Sequence, residues 1–288
     1  MQKYSKQDCY ILGTAYCGST LLGASLNQHP LVAYVGELSR SSGFVDRFSL
    51  DNTPAECMEC LISQKKCTFI SEKFIAKTTY MTPSDAHNSL RKVFKKPIVV
   101  DGSKHPAWLR IAHFENTSTE IKVIILSRSP SSYLKSCLSR GIEPLWAEAN
   151  AWRDNYLDAL RTVNQLGLSC KVVRHEDFIK NPLETLQGIC QYLGVKFTKN
   201  VFNTSAFELH AFGGNPGAYL ESGNKKAITE YASSHDQKDF DINPARLKTT
   251  LFAKAQKQRQ LTRLRQIAFE SPGLVDTASL LGYKYNDL

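Results

Sequence analysis

The apolar run Cys9-Tyr10-Ile11-Leu12 passes directly into Gly13-Thr14-Ala15-Tyr16-Cys17-Gly18-Ser19-Thr20 and then into Leu21-Leu22. A strand, a turn bracketed by glycines and the start of a helix make a βα unit. In that context exposed backbone N–H groups and the helix dipole converge on whatever occupies the turn, and phosphate is the usual guest. The spacing is that of a phosphate-binding loop, G-x-x-x-x-G-K-[ST], with Ser19 where the lysine would stand. Without that lysine the γ-phosphate of a nucleoside triphosphate loses its main counter-charge, so the turn suits an anion that needs no bridging metal. The plainer alternative is a glycine turn that holds no ligand.

The rest of the chain repeats the pattern. Pro97 to Asp101 reads as a strand with a helix beginning near Pro106, and Ile121 to Leu126 is the most β-rich run, with a helix from Pro130. Trp146 to Leu166 reads as a long helix, Cys170 to Arg174 as a strand, and Asn181-Pro182 as the start of a helix to about Tyr192. The first helix runs from about Ser19 to Gln28, where His29-Pro30 stops it. Alternating strands and helices predict an α/β fold: a P-loop-like, three-layer α/β/α arrangement around a mainly parallel sheet. Residues 1–288 are read as one domain. It carries an irregular insertion or lid over about 39–95 and a basic C-terminal helix over about 245–268.

Charge and cysteine usage narrow the partners. There are 36 basic and 27 acidic residues, a net charge of +9. Seven of the basic residues fall between Arg246 and Arg265, where no acid stands, so the excess belongs mainly to one segment, either a solvated helix face or a surface for an anion. Met1 to Asp8 is polar, and no apolar run is long enough to span a bilayer. A soluble, cytoplasmic chain is therefore expected, and its eight cysteines are read as reduced thiols. Cys137, Cys170 and Cys190 read as small core residues. Cys57, Cys60 and Cys67 stand apart: a C-x-x-C pair plus one is a ligand short of a structural zinc site, and a loop thiol pair is the alternative.

Ala15 to Leu22, then His29-Pro30 and Gly36-Glu37-Leu38, resemble the opening of the sulfotransferases that use 3′-phosphoadenosine-5′-phosphosulfate (PAPS), and specifically the soluble, bacterial type. The family loop P-[KR]-S-G-T-T-x-L holds the 5′-phosphosulfate, which by resemblance assigns donor contacts to Tyr16, Cys17, Gly18, Ser19, Thr20 and Leu21. The family's second motif pairs an arginine with a serine eight residues on. Arg128 and Ser136 match it, and the resemblance makes their ligand the 3′-phosphate. Arginine suits that task because its planar fork binds phosphate oxygens in pairs. Arg174-His175-Glu176-Asp177 is similar to a segment whose tyrosine contacts adenine, a place His175 takes here. Glu176 and Asp177 read as structural. His210, Gly213, Gly214, Asn215 and Pro216 resemble the bacterial H-x-x-G-G-N-P loop that closes on the nucleotide, with Gly214 and Asn215 as contacts.

The resemblance implies transfer of a sulfuryl group from PAPS to a hydroxyl or amine, giving PAP and a sulfated product, with no metal required for transfer. Such a reaction needs charge stabilisation and a base. Glu37, in the family's "GE" segment, is the first candidate base; the alternative is a carboxylate that anchors its loop. His105 is the second, since imidazole accepts protons near neutrality. Lys104, in D-x-S-K-x-P, is the candidate for stabilising the moving sulfuryl, or else pairs with Asp101. His29, His87 and His113 read as surface or capping residues.

One departure stands out: Tyr16 replaces the family's loop cation, and Arg40 or Lys225 are the expected substitutes. The insertion is expected to wall an acceptor site, with Phe44, Phe48, Phe69, Phe74 and Tyr80 either lining it or belonging to the core. A small-molecule acceptor is expected, and neither membrane nor nucleic acid is the expected partner. The cysteine group resembles one in some bacterial members, which implies secondary metabolism. Two other classes compete. A P-loop kinase or NTPase is opposed by Ser19, and a non-catalytic nucleotide- or nucleic-acid-binding module is favoured by Tyr16 and the basic helix.

Overall fold

The computed structural model describes residues 5–41, 57, 60, 66–70, 74, 81–115, 118–202, 209–214, 251–284 and 287. Five strands form one sheet: β1 (Gln7–Leu12), β2 (Val32–Gly36), β3 (Ile98–Lys104), β4 (Glu120–Ser127) and β5 (Cys170–Arg174). Their order is β2-β3-β1-β4-β5, and every pairing is parallel. β1, buried along its whole length, is the central strand. This placement explains its unbroken apolar run, since a strand covered on both faces has no solvent side to make polar.

The helices are α1 (Ser19–Asn27), α2 (Leu38–Ser41), α3 (Pro83–Phe94), α4 (Pro106–Glu115), α5 (Pro130–Leu138), α6 (Leu145–Gln165), α7 (His175–Lys180), α8 (Pro182–Tyr192), α9 (Leu251–Glu270) and α10 (Leu274–Leu280). They divide between the two faces. Tyr10, Leu12, Val99, Val123 and Ile125 join Trp108, Leu134, Trp152, Tyr156 and Leu264 on one side. Cys9, Ile11, Val100, Ile124 and Leu126 join Leu22, Leu26, Phe178, Leu186 and Ile189 on the other. The period-2 alternation of the strand residues assigns each to one layer, and the expected three-layer α/β/α architecture follows.

Most expected elements fall within a few residues of their observed bounds. The exceptions have physical causes. β2 was not anticipated; it gains its partners from β3, more than sixty residues later. The irregular segment ends in a regular helix, α3, whose start is fixed by Thr82 accepting from the Asp85 N–H at 3.2 Å and by Pro83 in the first turn. Cys170 is exposed, whereas Cys137 and Cys190 are core residues as expected. The first six residues of the expected basic helix lie outside the described residues, and its described part, α9, buries Leu264 and Ala268 against the α5–α6 side. No helix among the described residues is long and apolar enough to cross a membrane.

His29-Pro30 proves to be an architectural stop. The His29 ring accepts the Leu31 N–H at 3.2 Å and lies 3.0 Å from the Lys196 carbonyl. Lys96 donates to the carbonyls of Asn27, His29 and Val32 at 2.8, 3.2 and 2.7 Å, so the end of α1 is fastened to the start of β2.

Candidate active site

All five strands run the same way, so β1, β2, β3 and β4 deliver their last residues to one end of the sheet. Gly13 to Gly18 leave β1 there. Tyr16 and Gly18 both take left-handed backbone angles, φ 61° and 93°, and Gly18 caps α1 without any side-chain hydrogen bond. Gly18 thus offers no side chain to cap α1, no acid stands in the first turn, and the Cys17 thiol accepts the Ser19 N–H. A Cβ on Gly18 would lie 2.4 Å from Nδ1 of His175, which sets the imidazole directly against the loop. The expected neighbourhood of His175 and the loop is thus present.

Arg128 follows β4 and reaches back to β1. Its Nη1 donates to the Ser136 hydroxyl at 3.0 Å and to the Tyr16 carbonyl at 3.2 Å. The two short motifs, 112 residues apart, meet in one hydrogen-bonded group. The strand end that carries Arg128 is locked from behind: the Trp152 indole donates to the Arg128 carbonyl at 3.0 Å, and the Tyr156 hydroxyl to the Leu126 carbonyl at 3.0 Å. Glu176 accepts the Ser129 N–H and the Tyr283 hydroxyl, each at 2.9 Å, while Asp177 pairs with Arg174 at 2.7 Å. Both acids hold the scaffold, as expected.

Glu37 and Lys104 come from β2 and β3, and each strand slips register near its end, between Tyr34 and Gly36 and between Tyr10 and Leu12 of the pairings. Such irregularities re-aim side chains at strand ends. Lys104, with φ 69°, turns its ammonium onto Glu37 Oε1 and the Gly102 carbonyl, the latter at 3.3 Å. Arg40 takes Glu37 Oε2 at 3.1 Å. Burial pushes the Glu37 carboxyl up, but Lys104 and Arg40 outweigh it and hold the group below its ordinary range. Cys17 of the loop feels both Lys104 and Glu37, which places this ion pair beside the phosphate-type turn. Glu37 therefore binds cations rather than anchoring its loop through N–H groups. Lys104 pairs with Glu37 and not with Asp101, because Asp101 is already committed elsewhere.

Asp101 accepts the Ser103 N–H at 2.8 Å, the Ser103 hydroxyl, the Trp108 indole at 2.9 Å and His87 Nε2 at 3.1 Å. His87 Nδ1 lies 3.0 Å from Asp8, and Asp8 also meets Arg91. Burial alone lowers the His87 pKa, but the two carboxylates overcome it and raise it to about 9. His87 is thus a buried imidazolium clamped between acids, not a surface or capping residue. Nothing local in the sequence announces this, since the partners of this helical residue come from β1 and β3. His105 is exposed at the start of α4; partial desolvation, then Lys104, lowers its pKa.

The place left by the missing loop cation has an unforeseen neighbour. Arg140, just past α5, lies with its guanidinium 4.2 Å from the Tyr16 ring centroid. Of the expected substitutes, Arg40 is engaged by Glu37, and Lys225 lies outside the described residues. So do Asn215, Phe44, Phe48 and Tyr80. Gly214 is described, with φ 105°, and a Cβ on Gly213 would lie 3.4 Å from Arg40 Cδ. Phe74 stacks on Phe212 and Phe69 on Phe94, so both phenylalanines pack against neighbouring structure.

A search of curated protein sequences finds no match. A sulfotransferase domain from the olefin synthase of Synechococcus PCC 7002 is similar in structure, with a TM-score of 0.63 and 19% identity over 91% of this chain and 97% of that one. A sulfotransferase domain from the curacin biosynthetic pathway gives a TM-score of 0.58 at 18% identity, covering 91% and 98% respectively. The Sulfotransferase family profile matches residues 9–199, which take in most of β1, all of β2 to β5 and the α1, Arg128 and His175 segments just described. The chain belongs to the Sulfotransferase family.

Proposed function

We propose that this chain transfers a sulfuryl group from PAPS to a hydroxyl or amine of a small molecule, releasing PAP. The observation that carries the reading is the meeting of Arg128, Ser136 and the Tyr16 carbonyl in one cluster beside a helix whose N-cap is Gly18. A guanidinium and a hydroxyl that already share a hydrogen bond form a ready seat for the 3′-phosphate. The N–H groups from Gly18 to Leu21 suit the 5′-phosphosulfate. His175 against Gly18 suits a ring stacked at the mouth of the loop. Ser19 at the lysine position argues against a nucleoside triphosphate, and with it against a kinase.

The ion-pair group supplies the chemistry. A phosphosulfate beside the loop gives Lys104 a second anionic partner, and positive charge there stabilises both the moving sulfuryl and the leaving phosphate. Glu37, still held by Arg40, then accepts the acceptor's proton while the acceptor atom bonds sulfur and the sulfur–oxygen bond to PAP breaks. Arg140 over Tyr16 provides the cation that the family keeps within the loop itself. His105, neutral at pH 7 because its pKa is lowered, is the second candidate base. The curacin biosynthetic pathway, the source of one of the similar domains, supports a secondary-metabolite acceptor. Cysteines that make no disulfide among the described residues fit a cytoplasmic setting.

The test is calorimetry of the full chain with PAP, with ATP plus Mg²⁺, and with 5′-AMP. Tight binding of PAP with weak binding of 5′-AMP supports the donor and its 3′-phosphate seat. Binding of ATP–Mg²⁺ without PAP overturns the proposal in favour of a kinase.

A further inference from the structure

The three cysteines of the irregular segment have a fourth companion. The Sγ atoms of Cys57, Cys60 and Cys67 lie 3.5, 3.6 and 3.4 Å from Nδ1 of His210, a residue 143 positions beyond Cys67. All four donor atoms fall within 4.8 Å of one another. An imidazole nitrogen has one lone pair or one proton, so it cannot make three hydrogen bonds in the ring plane with three separate thiols. Three nearly equal contacts around one nitrogen instead describe the corners of a polyhedron about a common centre.

The dimensions identify the polyhedron. In a regular tetrahedron with metal–sulfur bonds of about 2.3 Å and metal–nitrogen bonds of about 2.05 Å, sulfur and nitrogen are separated by about 3.5 Å. The observed 3.4–3.6 Å agrees with that spacing. The surroundings also fit bound thiolates. The Ile70 N–H donates to Cys67 Sγ at 3.1 Å, and the Cys60 backbone hydrogen-bonds to the Cys57 sulfur. Such N–H···S contacts orient ligands and share their negative charge. Phe69 covers the His210 ring, with centroids 4.4 Å apart.

We infer that Cys57, Cys60, Cys67 and His210 form a structural zinc centre. Three soft thiolates and one imidazole in tetrahedral array select zinc, and four protein ligands leave no open position for a reacting water. The metal therefore takes no part in sulfuryl transfer. Its work is to join two distant pieces of chain beside the active site. Phe212, two residues past His210, pairs with Gly36 on one side and with Cys57 on the other. Its carbonyl accepts the Glu37 N–H at 2.7 Å, and its N–H donates to the Val35 carbonyl at 2.9 Å. The zinc centre thus fixes the loop that fixes the backbone of Glu37. The pattern was hidden in the sequence because the fourth ligand sits in a motif that reads as a nucleotide loop.

The experiment is metal analysis of the full chain after dialysis against a chelator, and it is independent of any sulfotransferase assay. About one zinc per chain is expected, released by an organomercurial thiol reagent and detected with a chromogenic chelator. Cobalt in place of zinc should give the intense visible bands of a tetrahedral thiolate site. His210→Ala and Cys60→Ser should lose most of the metal, whereas His210→Cys should keep it. If those variants fail to fold, the mercurial titration of the unaltered chain still decides. Protein that is metal-free after folding with zinc, and whose melting temperature zinc does not raise, overturns the inference. So does a disulfide among Cys57, Cys60 and Cys67 in non-reducing peptide mapping, or iron in place of zinc.

Discussion

The Glu37 amide donates to the carbonyl of Phe212 at 2.7 Å, and the Cα of Gly36 just before it faces the same carbonyl. A Cβ on Gly36, whose φ is +76°, would lie 2.1 Å from that oxygen. Only glycine allows the loop from His210 to Gly214 to lie so close to the end of β2. The candidate base is therefore seated by a backbone contact, not by its own side chain alone.

Gly36→Ala should break this seat. Left-handed strain alone costs about 1–3 kcal/mol, and the collision with Phe212 adds to it. Denaturant unfolding should show the loss, while calorimetry should find PAP still bound through Arg128 and Ser136. Unchanged stability would mean that the loop does not hold this position.

Arg128→Ala should weaken PAP binding by about 10- to 100-fold, the range for losing a charge-assisted phosphate contact. The effect on 5′-AMP should be small, since it lacks the 3′-phosphate. Equal losses for both ligands would move the 3′-phosphate away from Arg128.

Lys104→Ala and Glu37→Gln should mainly lower turnover, the latter by about 10²- to 10⁴-fold if Glu37 is the base. Because Lys104 and Arg40 hold the Glu37 carboxyl below its ordinary range, it is ionised throughout the neutral region. The acid limb of kcat/KM should then lie below ordinary carboxylate values. A limb nearer neutrality that vanishes in His105→Ala would give the role to His105.

Arg140→Ala should lower both donor affinity and turnover, and Tyr16→Lys should restore part of the loss by returning a cation to the loop. A double variant no better than Arg140→Ala would show that the two positions do not share a task.

Stability should depend on His87 in the alkaline range. Its folded pKa, about 9, is raised above the ordinary 6.5, so its contribution is complete below about pH 6.5 and is lost as the pH rises through 9. The shift corresponds to roughly 3 kcal/mol. Unfolding midpoints measured across that window should fall, and a flat profile would contradict a buried imidazolium.

Local sequence carried much of this molecule. The βα units, Pro-marked helix starts and the Gly13–Thr20 turn are legible because propensity, capping and periodicity act over a few residues. The Arg128–Ser136 pair was legible through the family motif it resembles, since an arginine shortly before a proline carries little signal by itself. What escaped was settled by tertiary placement. Arg140 has no signal that it will lie over Tyr16, His87 none that two strands will bring carboxylates to both its nitrogens, and His210 none that three thiols await it. Lys104 was found, but its partner was visible only once β2 and β3 stood side by side.

The clamp around His87 also shapes the field at the proposed donor site. Asp8 and Asp101 contribute two negative charges, and His87 and Arg91 two positive ones, so at neutral pH the buried group sums to zero. A balanced set of charges has a field that fades quickly with distance. Lys104, three residues from Asp101, is then not opposed from beneath, and the group of Lys104, Arg40 and Glu37 presents a net +1 to an incoming polyanion. Once His87 loses its proton, the interior beneath the sheet end becomes negative. Donor affinity should then decline in alkali although no residue touching the donor has titrated, a dependence set by an imidazole that the donor never meets.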